Sequence, residues 1–226
     1  MAIIRREMTS AMLDTMPVVD VHEPSRLAQP PAVSTDWRTQ LPILGARSVT
    51  LRELRLSDAA SLFEMLSTDE VERFISPPPT TVAGYEKFIL WTQRERAAGR
   101  LVCCGVVPEG MTMAVGLIQV RSIEPGFGTA EWGFAIGAPF WGTGVFMTAA
   151  HGVLDFAFEH IGVHRMEARA VVFNGRGNGA LRKLGATREG MLRSAFLKHG
   201  AYHDQFLWTI IDTDWIARPA ERSARH

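Results

Sequence analysis

The run Ala130-Glu-Trp-Gly-Phe-Ala-Ile-Gly-Ala-Pro-Phe-Trp-Gly-Thr-Gly-Val-Phe-Met-Thr-Ala-Ala150, continued by a helical run to Glu159, reads as strand, glycine turn and helix. From Glu131 to Ile136 the residues alternate, with Trp132, Phe134 and Ile136 on one face and Glu131, Gly133 and Ala135 on the other, the period of a strand. One carboxylate therefore sits on a face of small residues. From Val145 the period becomes helical: Phe146, Ala150, Val153, Leu154, Ala157 and Phe158 fall on one side, and His151, Asp155 and Glu159 on the other. Between the two periods lies Trp141-Gly-Thr-Gly144. A glycine turn opening a helix leaves backbone N–H groups without intrahelical partners and lets a ligand approach closely, which suits a phosphate or pyrophosphate. The alternative is that Gly142 and Gly144 only shape a tight connection.

Two nucleotide motifs fail against this stretch. Met147 stands where a dinucleotide fingerprint needs its third glycine, and no Gly-Lys-Ser/Thr follows for a P-loop. A third pattern survives. The stretch resembles the GNAT superfamily of acetyl-CoA-dependent N-acetyltransferases, whose signature Gln/Arg-x-x-Gly-x-Gly/Ala lies between a strand and a helix. Aligned on Gly144, the signature has Trp141 at its first position and Phe146 at its last, so only the central glycine matches strictly. The wider likeness is to the RimJ/RimL-type branch, which acetylates protein N-termini and whose text resembles Pro-x-Phe/Tyr-Trp-Gly-x-Gly. Pro139-Phe-Trp-Gly-Thr-Gly144 is similar to it. Gly162-Val-His-Arg-Met-Glu-Ala168, Asn174 with Leu181-Arg-Lys-Leu-Gly185, Glu189-Gly-Met-Leu-Arg193 and Gly200-Ala-Tyr-His-Asp204 follow in the branch's order and spacing.

The resemblance implies an α+β fold with a mostly antiparallel central sheet flanked by helices, and acetyl-CoA as cosubstrate without a metal. It implies acetyl transfer to a primary amine, a protein N-terminal α-amino group first and a small amine second. A catalytically weak acyl-CoA-binding module is the alternative from another class. Carried over residue by residue, it makes Glu131 the carboxylate that takes a proton from the ammonium. Asn174 becomes the asparagine that holds the pantetheine arm or an ordered water. Ile136 and the run Trp141, Gly142, Thr143, Gly144, Val145 and Phe146 hold the cofactor, with Asn178 as a further contact or a helix cap. Tyr202 and Asp204 face the acceptor. Each has a structural alternative: Glu131 paired with an arginine such as Arg169, Asn174 in a loop turn, Tyr202 simply packed. Where the family can carry a thiolate acid or a further base, this chain has Gly177, Leu181 and Phe196.

At 226 residues and 46% hydrophobic content, the chain suits one substantial domain with an extension. With 24 basic and 24 acidic side chains the net charge is zero, so no global field favours nucleic acid or an anionic membrane. Cys103 and Cys104 are adjacent on a strand and point to opposite faces, which excludes a bridge between them and suits a reducing compartment. No segment approaches the ~18 apolar residues of a membrane span and no signal-peptide core opens the chain, so a cytoplasmic protein, monomer or homodimer, is expected. The seven histidines show no metal-ligand spacing, and no Gly-x-Ser-x-Gly elbow is present for a hydrolase.

Residues 1–46 hold five of the twelve prolines and no sustained periodicity, so they are expected to form an N-terminal extension to a domain spanning 47–216, with a tail at 217–226. Within the domain, strands are expected from about Val49, Leu101, Ala114, Thr129, Arg165, Arg188 and Gln205. Ser57 or Asp58 caps a helix with apolar face Ala59, Leu62, Phe63 and Leu66, and Thr80 or Thr81 caps a second running through Tyr85, Phe88 and Ile89 to Gly99. In the family this loop and helix border the acceptor site, which makes Phe74 and Trp91 candidate lining residues. Asn174 to Gly179 reads as a loop before a short helix from Ala180 to Leu184.

Overall fold

The computed structural model describes residues 36–217 apart from Arg47. Eight strands form one sheet in the order β1-β2-β3-β4-β5-β6-β8-β7. They are β1 (Leu44–Ala46), β2 (Val49–Glu53), β3 (Leu101–Pro108), β4 (Gly116–Ser122), β5 (Thr129–Ile136), β6 (Arg165–Val171), β7 (Thr187–Lys198) and β8 (Ala201–Ile211). The helices are α1 (Ala59–Leu66), α2 (Asp69–Glu72), α3 (Val82–Ala97), α4 (Val145–Phe156), α5 (Gly175–Lys183) and α6 (Asp212–Ile216). Every neighbouring pair is antiparallel except β5 and β6, and the α4 crossover between them is the connection a parallel pair requires.

Strand alternation sorts the core into two layers. Ile118, Val120, Trp132 and Cys104 face α4, where Ala150, Val153 and Leu154 cover them. Leu101, Cys103, Leu117 and Ala135 face α1 and α3, which bring Leu62, Tyr85 and Ile89. The two cysteines thus lie on opposite faces, both buried, and burial pushes the Cys104 thiol up to about 12 and Cys103 higher still. Neither is a thiolate nucleophile at neutral pH.

A buried ion pair fixes α1 to the sheet. Arg52 on β2 donates to both oxygens of Asp58 at 2.7 and 2.8 Å, and Asp58 also accepts from the Arg55 and Ala114 N–H groups at 2.7 and 3.0 Å. Asp58 precedes α1 from within a 3-10 turn over Leu56–Asp58. The α3 cap is Thr81, whose Oγ1 accepts from the Gly84 N–H at 3.0 Å.

Several expectations need correction. Residues 36–46, expected outside the domain, carry Trp37 and Leu41 into the core and supply β1; the rest of that segment, like the tail beyond Ala217, lies outside the described residues. Gly175 to Gly179 is helix rather than loop, because Asn174 Oδ1 accepts from the Gly177 N–H at 2.9 Å and starts α5 there. On the polar side of α4, buried Trp215 of α6 donates its Nε1–H to Asp155 at 2.8 Å and packs on the His151 ring.

Candidate active site

The parallel pairing of β5 and β6 lasts only three residues, Thr129 with Arg165, Ala130 with Met166 and Glu131 with Glu167. Beyond it, Trp132 to Ile136 keep β4 on one edge and have no strand on the other, while Ala168 to Val171 keep only β8. A V-shaped opening therefore splits the sheet, with exposed peptide edge on both sides where an extended ligand finds backbone partners.

The glycine turn stands just past the β5 wall. Gly142 and Gly144 adopt φ of 77° and 90°, the left-handed region that side chains resist, and no atom lies within 4 Å of where a Cβ would stand on either. Among the described residues, the N–H groups of Gly142, Thr143, Gly144, Phe146 and Met147 meet no acceptor, and Val145 N–H makes only a long contact of 3.4 Å to Thr143 Oγ1. These donors and the α4 dipole suit an anion such as a pyrophosphate. Trp141 is fixed by its own Nε1–H, which donates to Ile136 O at 2.8 Å, and Phe146 packs on Phe134 with ring centroids 4.3 Å apart and the planes tilted by 43°.

The opposite wall comes from the start of α5. Asn174 spends Oδ1 on the cap and leaves Nδ2 without a hydrogen bond among the described residues. A Cβ at Gly177 would meet that Nδ2 at 2.6 Å, so the glycine and the capping asparagine go together. Asn178 is engaged at both ends: Nδ2 donates to the Val171 and Asn174 carbonyls at 2.9 Å, and Oδ1 accepts from Trp208 Nε1 at 2.8 Å. That spends the Asn178 amide on holding α5 to β6 and β8. Arg176 bridges the walls, its guanidinium 3.7 Å from the Trp141 ring centroid. Sequence reasoning missed Arg176, since nothing in a glycine-rich run says which aromatic it will lie upon.

Glu131 sits where the V closes. Its side chain is 14% exposed, with Oε1 buried and free of hydrogen bonds, 3.6 Å from Arg169 Nε. Nearby Arg165 on the same face is tied to Glu167 at 2.9 Å and to both oxygens of Glu189, which also accepts from Thr209. The hydrogen bonds from Arg165 and Thr209 hold the Glu189 carboxyl down at about 2.

The hairpin residues stand apart from this cluster. Tyr202 is 65% exposed at the β7–β8 turn, and Asp204 Oδ1 accepts from the Ser194 N–H at 2.7 Å, pinning the irregularity in β7. Leu181 and Phe196 are buried, so neither offers chemistry. On the α1/α3 face a small pocket of ≈ 30 Å³ lies between Leu66, Pro78, Pro79, Tyr85, Gln119 and Ala135 among others. Phe74 and Trp91 are not in its wall: Phe74 packs on Phe173 and Trp91 on Phe88.

Comparison with known proteins places these features in context. The family model described as acetyltransferase (GNAT) domain matches residues 48–187. The Bacillus subtilis protein named "Putative ribosomal N-acetyltransferase YdaF" is 24% identical over 173 residues, covering 74% of this chain and 93% of its own length. The crystal structure of a "putative acetyltransferase" from T. thermophilus superposes with a TM-score of 0.68 at 27% identity, covering 81% of this chain and 96% of that one. Mycobacterium smegmatis RimJ, solved in complex with CoA-disulfide, shares the fold with a TM-score of 0.67 at 22% identity over 75% of this chain and 88% of its own. No helix among the described residues is long and apolar enough to cross a membrane.

Proposed function

Because this chain belongs to the acetyltransferase (GNAT) family, we propose that it transfers the acetyl group of acetyl-CoA to a primary amine, with a protein N-terminal α-amino group as the acceptor class. The observation that carries the proposal is the early end of β5–β6 pairing, after Glu131 and Glu167, beside a turn of unpartnered N–H groups. The residues fit the cosubstrate. The peptide edge of Trp132 to Ile136 suits the amides of a pantetheine arm, and the run Trp141 to Phe146 suits the pyrophosphate. Asn174 Nδ2 is the one side-chain donor of α5's cap left for the arm, and Arg176 adds a cation beside the turn. The N-terminal acceptor rests on the RimJ/RimL-type motifs, and the B. subtilis relative, named a putative ribosomal N-acetyltransferase, favours a protein acceptor.

In this reading the amine approaches from the α1/α3 side and attacks the thioester carbonyl at the β5 edge. A C–N bond forms, the C–S bond breaks, and the thiolate leaves. Glu131 takes a proton from the ammonium, directly or through water; its unbonded Oε1 has the lone pairs for it. Gly177 and buried Leu181 supply no proton to the thiolate, which takes one from water or from the newly bonded, positively charged nitrogen of the tetrahedral adduct as the C–S bond breaks. Peptide N–H groups along the β5 edge are the donors available to the developing oxyanion. We assign the catalytic domain to residues 47–216 together with the packed segment 36–46.

The test is thiol release from acetyl-CoA with free-N-terminus tetrapeptides, the same peptides N-terminally blocked, and small primary amines. Release with the free peptides alone supports the proposal. Release only with small amines removes the protein acceptor, and no release with any acceptor removes the reading.

A further inference from the structure

Buried polar atoms without hydrogen bonds are rare in folded proteins, and here they gather on one side of the sheet. Ser67 Oγ, Tyr85 Oη, Gln119 Oε1, Glu131 Oε1 and both ends of the Gln205 amide are all in this state. Gln119 lies between Ile118 and Val120, Glu131 between Ala130 and Trp132, and Gln205 beside Phe206, all of which pack toward α4. Alternation therefore puts the three polar side chains on the opposite face, where Ser67 and Tyr85 also lie, beside and within α1 and α3. That is the side from which an acceptor would reach β5.

Two of these groups meet in one place. Tyr85 and Gln119, only 1% and 2% exposed, line the ≈ 30 Å³ pocket, whose other walls are apolar apart from Ser76: Leu66, Ile75, Pro78, Pro79, Leu117 and Ala135 are among them. Such a space holds one or two water-sized groups. Gln119 is in register with Gly133 and Leu117 with Ala135, so the pocket backs onto the stretch of β5 whose other edge faces the opening. Tyr85 Oη stands beside Ser67 Oγ without reaching hydrogen-bond geometry. Burial pushes the phenol up to about 12, so it stays a neutral donor and acceptor.

We propose that Gln119 and Tyr85 are the acceptor-positioning pair: the pocket receives the amine-bearing end of the acceptor, Gln119 Oε1 accepts one of its N–H groups, and Tyr85 Oη makes the second hydrogen bond. This rests on the acetyl-transfer reading and adds to it the residues that hold the amine in line. A buried carbonyl oxygen that has no hydrogen bond among the described residues is satisfied by an amine or ammonium N–H. The pair raises no requirement on acetyl-CoA binding, because it lies on the other side of β5 from the opening.

Tyr85→Phe and Gln119→Leu in the full chain test this, with the best tetrapeptide of the free-N-terminus panel as acceptor probe. Each variant is expected to raise the acceptor KM roughly five- to tenfold, the worth of one neutral hydrogen bond, with acetyl-CoA Kd unchanged. Thermal midpoints should hold or rise, since each substitution removes a buried group that has no hydrogen bond among the described residues. Groups that merely hold the fold would lower the midpoint and leave acceptor KM where it was, and that pattern overturns the assignment. Tyr85→Phe keeps the ring that packs on Phe63 and Phe88, so it remains readable even where Gln119→Leu disturbs the sheet. A wild-type protein that acetylates none of the panel overturns the transfer reading and this pair with it; wild-type turnover with unchanged acceptor KM in both variants overturns the pair alone.

Discussion

Glu131 Oε1 lies 3.6 Å from Arg169 Nε at the point where β5 and β6 part, and that oxygen is buried without a hydrogen bond. The separation exceeds a hydrogen bond, so the guanidinium acts on the carboxylate through charge and leaves its lone pairs available. One oxygen thus keeps capacity for an incoming N–H or a water. Glu131→Gln keeps the shape and removes the base. We expect kcat to fall roughly 10²–10⁴-fold with little change in acetyl-CoA affinity, and raised pH to restore part of the rate by supplying free amine. Wild-type kcat at neutral pH in a variant of unchanged thermal stability would make the carboxylate structural.

Gly144→Val tests the cradle. Space is open around the position, so the cost comes from φ of 90°, about 1–2 kcal/mol for a residue with a Cβ. Relief of that strain turns the N–H groups away from their common focus. Calorimetry should find acetyl-CoA bound much more weakly, whereas Thr143→Ala, whose hydroxyl donates to Phe140 O at 2.8 Å rather than facing the turn, should bind nearly as wild type.

Arg176→Met leaves the fold in place, because the residue is exposed and makes no ion pair among the described residues. Acetyl-CoA Kd should rise several-fold in low salt, and the gap from wild type should narrow as salt is added, as screening predicts. An equal Kd at all ionic strengths would assign Arg176 only to the Trp141 ring.

Much of the fold was legible because alternation is strong where the two faces of a strand carry different residues. Trp132, Phe134 and Ile136 against Glu131, Gly133 and Ala135 placed β5, and all seven expected strands occur, with β4 starting at Gly116 rather than Ala114 and β8 at Ala201 rather than Gln205. β1 was not legible: Leu44–Ala46 is too short to alternate, and its pairing with β2 comes from tertiary contact. The helix from Gly175 was hidden by three glycines, which lower helix propensity, and only the Asn174 cap announces it. At the site, the glycine turn spoke through local sequence. Arg176 on Trp141, Glu131 beside Arg169 and Tyr85 near Gln119 join residues 34 or more apart, and no local pattern carries such a pairing. An unsatisfied Oη on Tyr85 is equally invisible in a string that shows only an aromatic at helical spacing.

Acid should unfold the protein partly through Asp58. Burial opposes its ionisation, but the Arg52 hydrogen bonds, the Arg55 and Ala114 N–H groups and the Arg52 charge outweigh it and hold the carboxyl below 3.8. A depressed carboxyl stabilises the fold fully above its unfolded pKa and loses that contribution as pH falls through the folded value. Glu189, at about 2 against 4.5, adds a smaller, solvent-screened contribution over that interval. Stability should therefore drop below about pH 4. Asp58→Asn leaves the Arg52 guanidinium buried without its counter-charge, at a cost of about 3–5 kcal/mol at pH 7, and flattens the acid limb. Denaturant melts of both proteins from pH 7 to pH 2 check each part.

Backbone hydrogen exchange with and without acetyl-CoA tests most directly whether the opening between β5 and β6 is the cosubstrate site. The N–H groups along Trp132 to Ile136 that face the opening, together with those of Gly142, Thr143, Gly144, Phe146 and Met147, have no strand or helix partner among the described residues. Acetyl-CoA should slow exchange in these two stretches and leave the exposed β7–β8 turn around Gly200 unchanged. Binding that protects the hairpin, or any other surface, while both stretches exchange as in the free protein would contradict the account.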